Sequence, residues 1–102
     1  MNFQSIMQQA QKMQREMAKK LEEFEAKEFE YDYKNSSVVV KITGKLEIKA
    51  ITISDVLVDP DDKATLQDMV AEAVSAAIKE VSAAKDEITA SAMPKGGMPG
   101  LF

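Results

Sequence analysis

The 102-residue sequence contains no cysteine, no histidine and no tryptophan, and it has only four glycines and three prolines. Without cysteine and histidine it lacks thiolate nucleophiles, disulfides, an imidazole base and the usual zinc ligands. These absences exclude most catalytic classes. We therefore expect one small domain that is not an enzyme and has no cofactor, metal ion or small-molecule substrate.

Long apolar runs are also missing, because no segment approaches the roughly 18 apolar residues of a membrane span or has the apolar core of a signal peptide. We expect a cytoplasmic protein without a membrane partner. Acidic residues outnumber basic ones by 17 to 13, which gives a net charge of -4. Such a chain repels phosphates unless its cations are segregated on one surface.

Two long stretches have the 3.6-residue period of amphipathic helices. The first runs from residue 2 to about residue 27. The second is predicted to open at Asp59, an N-cap followed by Pro60, and to continue until Met93 precedes Pro94. Residues 1–93 are thus expected to form the domain, and residues 94–102, which are rich in glycine and proline, a flexible tail.

Between the helices, three segments have strand character. Residues 28–33 alternate apolar and acidic side chains, residues 38–43 are rich in β-branched residues, and a third strand runs from Leu46 to about Ser54. Gly44-Lys45 predicts a two-residue hairpin of type II′ with glycine at positive φ. The third strand changes register at Ala50, which indicates a β-bulge or burial on both faces.

The resulting fold class is α+β: a long N-terminal helix, a three-stranded antiparallel meander and a long C-terminal helix. Helices of about 38 and 45 Å exceed the ~13 Å radius of gyration expected for a compact chain of this size, so they should project from the sheet. An incompletely covered apolar sheet favours a homodimer. The predicted dimer-interface residues are Val38, Val40, Ile42, Ile48, Ile51 and Ile53.

Two motifs that imitate functional sites fail on inspection. Asp59-x-Asp61 resembles the start of a calcium loop, but Ala64 and Val70 occupy the positions that require glycine and glutamate, so helix capping is favoured. Thr43-Gly44-Lys45 lacks the earlier glycine of a phosphate-binding loop, since that position is Val39.

The first helix carries the most informative charge pattern. It contains a basic cluster interleaved with glutamines, and such side chains can hydrogen-bond phosphates and base edges. The cluster comprises Lys12, Arg15, Lys19 and Lys20. On the residues alone an ordinary solvated helix face is the favoured interpretation, because the cluster is small for a nucleic-acid footprint.

In order and spacing, four features resemble the YbaB/EbfC family of bacterial nucleoid-associated proteins. They are the Met- and Gln-rich opening at residues 6–14, the hairpin at Gly44, the helical segment at residues 61–73 and the ending at residues 96–102. The resemblance covers essentially the whole chain and implies a homodimer whose sheets join while its helices project like tweezers. It implies binding to double-stranded DNA in the nucleoid, with weak sequence preference, and an influence on nucleoid organisation and gene expression.

Under this resemblance, the phosphate contacts would come from Lys12, Arg15, Lys19 and Lys20 of the first helix, assisted by Lys79 and Lys85 of the second. The competing hypothesis is a protein-interaction adaptor whose projecting helices grip a partner. The two differ in what the open helix face presents: DNA binding requires clustered cations, and an adaptor requires an exposed apolar patch.

Overall fold

The computed structural model describes residues 2–91, so the tail predicted for residues 94–102 lies outside the described residues. The elements confirm the predicted order of helix, antiparallel meander and helix. They are α1 (Phe3–Ala26), β1 (Glu28–Tyr33), β2 (Val38–Thr43), β3 (Ile48–Ile53), a short 3₁₀ turn (Asp55–Leu57) and α2 (Lys63–Ser91).

Helix α1 has a polar cap at its start and a defined end at the sheet. The Asn2 side-chain oxygen accepts a hydrogen bond from the Gln4 amide at 3.0 Å, which satisfies a donor that the helix itself cannot. Lys27 is extended, and its amide donates to the Phe24 carbonyl. The chain therefore passes directly from helix to strand, without a loop between α1 and β1.

The sheet has the order β1-β2-β3, and both pairs of strands are antiparallel. The predicted bulge is confirmed: Lys41 pairs with Ala50 but the next residue, Ile42, pairs with Ile48, so Lys49 is the extra residue of β3. The bulge keeps Ile48 on the same face as Ile51, although the two residues are three positions apart and would face opposite sides in a regular strand.

The predicted two-residue turn at Gly44-Lys45 is wrong. The Leu46 amide donates to the Thr43 carbonyl and the Thr43 amide donates to the Glu47 carbonyl, both at 2.9 Å, so three residues form the loop. The positive φ belongs to Leu46, at 70°, as in hairpins that end in a left-handed residue. Consequently β3 begins at Ile48, two residues later than predicted.

The position of Gly44 leaves no space for a side chain. A Cβ atom there would lie 2.1 Å from the Phe24 carbonyl oxygen, because the end of α1 rests on the hairpin. The Gly44 amide also donates to the Lys27 carbonyl at 3.1 Å. The glycine therefore serves the contact between α1 and the sheet.

Helix α2 begins later than predicted. Asp62, and not Asp59, is the cap: its carboxylate accepts from the Thr65 amide at 3.3 Å and from the Thr65 hydroxyl at 2.7 Å. Asp59 instead accepts from the Asp61 amide and closes a turn that contains Pro60. Both aspartates have capping chemistry, but only Asp62 has a threonine hydroxyl three residues downstream to strengthen the cap.

The core lies between α2 and one face of the sheet. Helix α2 packs over β1 and β2, with much less contact to β3. Ala73 and Ala77 are fully buried, and such small side chains let the helix lie close to the strands. The buried core comprises Phe24, Val38, Val40, Ile42, Ala73, Ala77 and Val81.

Three of the six predicted interface residues therefore lie in the chain's own core. Val38, Val40 and Ile42 are 0% exposed under α2, so a partner cannot touch them in this conformation. The sequence pattern could not separate them from their neighbours on β3, because all six share one face of the sheet. Only Ile48, Ile51 and Ile53 retain accessible surface.

The molecule is elongated, as the helix lengths predicted. It extends over 71 × 29 × 17 Å with a radius of gyration of 19.8 Å, well above the ~13 Å of a compact chain of this length. Both helices leave the sheet at the Gly44 end. Within residues 2–91, neither helix is apolar over a length that could cross a membrane.

We predict that Gly44→Ala strongly destabilises the protein, by about 2–4 kcal/mol, because backbone atoms of α1 must move to admit the methyl group. Urea unfolding at matched protein concentration would measure this. The exposed neighbour offers a control, since Lys45→Ala should change the midpoint little. Equal stability of the two variants would contradict the close contact.

We also predict that the protein loses stability at alkaline pH because Tyr33 ionises. Its hydroxyl donates to the Glu72 carboxylate, and this hydrogen bond, followed by desolvation and the Glu72 charge, raises the pKa of Tyr33 above its usual 10.0. The folded state thus holds the proton more tightly than the unfolded chain. The contribution is fully present below pH ~10 and is lost as pH rises through the folded-state pKa.

The test compares the free energy of unfolding of wild type and Tyr33→Phe as a function of pH. The wild-type advantage in free energy of unfolding should stay constant up to about pH 9 and shrink as the pH rises from about 10 through the folded-state pKa. Tyr31→Phe serves as the control for tyrosine ionisation elsewhere in the sheet. An advantage that is constant over this range would show that the hydrogen bond does not stabilise the fold.

Candidate nucleic-acid interface

The N-terminal part of α1, residues 3–16, projects as an arm. Every residue of this arm is exposed, because only the last turns of α1 reach α2 and the sheet. There Phe24 is buried in the core, and Glu25 forms an ion pair with Lys85 at 3.0 Å. The arm is therefore the most accessible surface available to a ligand.

One side of the arm is apolar. Phe3 is 72% exposed, and Ile6, Met7 and Met13 are each about half exposed. Together with Ala10 they follow the helix period and form a continuous line, which we call the apolar stripe. Apolar groups rarely remain in water in such a row without a partner.

The opposite side is cationic. At about 100° per residue, Lys12, Arg15 and Lys19 fall within a sector of about 60° that lies roughly opposite the apolar stripe. All three are exposed, and none has an ion-pair partner among residues 2–91. We call these three residues the cationic face. Its charges spread over about 10 Å of helix axis and are free to meet anions.

Glutamines extend the cationic face toward the tip of the arm. Gln4, Gln8 and Gln11 fall in the same half of the helix circumference, and all are exposed. Their amides can donate to phosphate oxygens or to base edges without adding charge. The arm thus presents donors along its whole length on one side.

The other predicted DNA contacts lie elsewhere. Lys20 is exposed but falls at the border of the apolar side of α1. Lys85 is neutralised by Glu25. Lys79 is exposed on the outer side of α2, where the helix period aligns it with Asp68, Glu72 and Asp86. The structure brings together three of the six predicted residues and separates the rest.

Sequence reasoning missed an acidic depression at the base of α1. Glutamates from the helix end meet glutamates from the first strand and the hairpin, and Lys49 balances only Glu47, at 3.8 Å. The depression is lined by Glu22, Glu25, Ala26, Glu28, Thr43, Lys45, Glu47 and Lys49. Its four glutamates outnumber its two lysines, so it is a less favourable surface for anions than the cationic face. Among residues 2–91, no group of acidic side chains is arranged to hold a metal ion.

Comparison with known proteins gives a family match over almost the whole chain. The model of the YbaB/EbfC DNA-binding family matches residues 1–98. A nucleoid-associated protein of Ureaplasma parvum is 46% identical over the full length of both chains. A nucleoid-associated protein of Ruminiclostridium cellulolyticum is 41% identical, over 99% of this chain and 89% of the relative.

The fold has a counterpart among solved structures. The crystal structure of an uncharacterized protein from Helicobacter pylori superposes with a TM-score of 0.68 and covers 89% of this chain and 96% of its own. At 20% identity, it supports the fold alone. The sequence matches support more, and they confirm the resemblance found in the sequence. The chain belongs to the YbaB/EbfC DNA-binding family.

Proposed function

We propose that this protein binds double-stranded DNA as a homodimer, with the cationic face of α1 against the phosphates. The observation that carries the proposal is the grouping of Lys12, Arg15 and Lys19 on one exposed helix side, with no ion-pair partner in the described part of the chain. Binding in this way would position the protein in the nucleoid and influence nucleoid organisation and gene expression.

Phosphate contacts explain both affinity and weak specificity. Lysine and arginine that neutralise phosphates release condensed counterions, and this entropy gain falls as salt rises. Such contacts position a protein on the duplex but carry no base information. The glutamines on the same side could touch bases, yet their amides can serve as donor or acceptor and therefore discriminate weakly between base pairs.

The proposed dimer interface is built on β3. Ile48 and Ile51 are 38% and 39% exposed, because α2 lies over β1 and β2. Tyr33 of β1 contacts Glu72, so the opposite flank of α2 points toward β3. Ile78 lies on that flank and is 36% exposed. With Ile53, these residues form one open apolar patch, the isoleucine patch.

Joining two isoleucine patches would place the sheets at the centre and let the helices project as a pair of arms. Each arm carries three cations of the cationic face, so a dimer offers six. Two arms could then hold a duplex between them or along one side. Lys20, Lys79 and Lys85 would assist only where the duplex also reaches those surfaces.

We predict that Ile51→Lys dissociates the dimer, with at least about a tenfold rise in its dissociation constant, because a charge cannot be buried there without a partner. Light scattering after size-exclusion chromatography would measure the mass. Thr52→Lys is the matched control: Thr52 is the next residue of the same strand, exposed on the other face. A dimer that survives both changes would place its interface elsewhere.

For DNA binding, we predict a salt slope near -5 for log affinity against log salt, since six cations each contribute about -0.9.

Replacing Lys12, Arg15 and Lys19 by glutamine should weaken binding to two unrelated duplexes alike and flatten the slope. A single Lys19→Gln change removes two cations from the dimer and should reduce the slope by about 1.8. Fluorescence titration at several salt concentrations gives these values.

The matched control removes one lysine from the acidic depression. Lys45→Gln alters net charge as much as Lys19→Gln does, but should leave the slope unchanged if phosphates meet only the cationic face. Circular dichroism and light scattering would establish that each variant keeps its fold and mass. Equal slopes for Lys19→Gln and Lys45→Gln would show that binding depends on net charge and not on this face.

The adaptor hypothesis has one observation in its favour, the exposed apolar stripe on the arm. Helical partners bind through such rows of apolar side chains. The DNA titration separates the two functions, because an adaptor without a DNA role would show no saturable binding even at low salt. The stripe and the cationic face lie on opposite sides of α1, so their variants can be tested independently.

A further inference from the structure

The apolar side of the arm has a pattern that is nearly symmetric about Ala10, the smallest member of the apolar stripe. Phe3 and Met17 lie seven residues to either side of it, and Met7 and Met13 lie three residues to either side. Seven residues are close to two helical turns, so the outer pair lies nearly in line with the centre. Two identical helices that pair antiparallel about a two-fold axis need such a surface, because each residue must meet its symmetry mate.

The open length of the apolar side matches this pattern. At the sheet end, Phe24 is 7% exposed in the core cluster that also contains Val81 of α2. Leu21 and Met17 are half-buried, and every residue from 3 to 16 is exposed. Exposure therefore begins at residue 16, directly beside the residue where the symmetric pattern ends.

The arm is a long stretch of helix to leave without packing. It comprises fourteen residues, from 3 to 16, and helices of about 12–15 residues are marginal in water when nothing packs against them. Most of the stability of a protein helix comes from burial of its apolar side. A partner along the apolar stripe would supply that burial.

The charges of α1 allow the partner to be a second copy. The cationic face lies opposite the apolar stripe, so pairing through the stripe places the two cationic faces on the outside of the pair. With helix axes 8–10 Å apart, these faces are about 20 Å from each other, well beyond the ~8 Å screening length at physiological salt. Gln9 and Gln14, which flank the stripe, are uncharged. Like charges therefore do not oppose the contact.

We propose that the apolar stripes of two copies pack against each other as an antiparallel helix pair centred on Ala10. The small side chain at the centre lets the two helices approach closely. Phe3 of each copy then lies against Met17 of the other, and Ile6 packs beside Met13 of the other copy on the same flank. The pairing requires neither DNA nor the isoleucine patch.

The size of the contact makes the pairing weak and dependent on concentration. About six apolar residues of each copy take part, whereas a stable interface uses about 20–30 residues a side. If the proposed dimer also forms, it carries two arms, and each arm can pair with that of another dimer. Copies held close together, for instance on one duplex, would pair more readily because their effective concentration is higher.

The absence of native cysteine allows a disulfide test in the full chain. Ala10→Cys should form a disulfide between two chains on mild oxidation, since facing Cα atoms of helices packed in this way lie within the ~7 Å that a disulfide permits. Gln8→Cys is the matched control, because Gln8 is equally exposed but lies on the other side of the helix. We expect at least about tenfold more interchain disulfide for Ala10→Cys. Equal yields would overturn the proposal.

A mixture of two variants tests the direction of the pair. Met7 and Gln14 lie on the same flank of the stripe, and an antiparallel pair places each beside the other residue of the second copy. Mixing Met7→Cys with Gln14→Cys should therefore give a disulfide that joins one variant to the other, which peptide mapping identifies. Predominant linkage of each variant to itself would indicate parallel arms and contradict the antiparallel pair.

Light scattering at increasing protein concentration separates this pairing from the proposed dimer. The average mass of wild type should rise with concentration beyond that of a dimer. Ile6→Glu should abolish this rise, because pairing would bury a carboxylate. Gln8→Glu adds the same charge on the other side of the helix and should behave as wild type.

The Ile51→Lys background distinguishes the two interfaces. Ile51→Lys alone should remain in a concentration-dependent equilibrium of monomer and dimer through the arms, and Ile51→Lys combined with Ile6→Glu should be a monomer. A dimer that resists Ile51→Lys but is dissociated by Ile6→Glu would support the arm pair and contradict the isoleucine patch. A wild-type mass that does not change with concentration and equals that of Ile6→Glu would overturn the arm pair and leave the proposed function untouched.

Discussion

The contact between the end of α1 and the β2–β3 hairpin organises the molecule. With glycine at position 44, the Phe24 carbonyl can approach the hairpin to a distance that no side chain would allow. Backbone hydrogen bonding from Gly44 to Lys27 and the Lys85–Glu25 ion pair then fix the direction of α1. Because the helix leaves the sheet there, most of its length has no intrachain neighbour among the described residues, and both of its faces are presented to solvent.

Two apolar surfaces remain open as a consequence, and they differ in kind. The isoleucine patch exists because one helix covers only two of three strands, and a flat patch beside an open strand edge is best satisfied by a copy of itself. The apolar stripe is narrow and convex, because it runs along one side of a single projecting helix. In the proposed dimer the first surface is buried against its copy, whereas the second lies on the projecting arm, away from the sheet.

Features that depend on local sequence could be predicted, and those that depend on distant contacts could not. Periodicity located both helices and all three strands, and the irregular alternation around Ala50 indicated the bulge. The hairpin at Gly44 could be located from the sequence, but the contact of Gly44 with Phe24 could not, because the two residues lie twenty positions apart. Likewise, the basic cluster was visible at residues 12–20, but the ion pair that neutralises Lys85 was not. Strand alternation placed Val40 and Ile51 on one face without revealing that α2 covers only Val40.

Distance explains how the proposed DNA-binding surface is compatible with an acidic protein. The acidic segment that connects β3 to α2 lies at the end of the sheet opposite Gly44. The whole molecule is 71 Å long. Charges are screened over about 8 Å at physiological salt, so those carboxylates contribute little to the potential at the cationic face. The acidic depression is nearer and sets the inner limit of that face. Under the proposed function, the local arrangement along α1 therefore determines the attraction for phosphates, and the net charge of -4 does not.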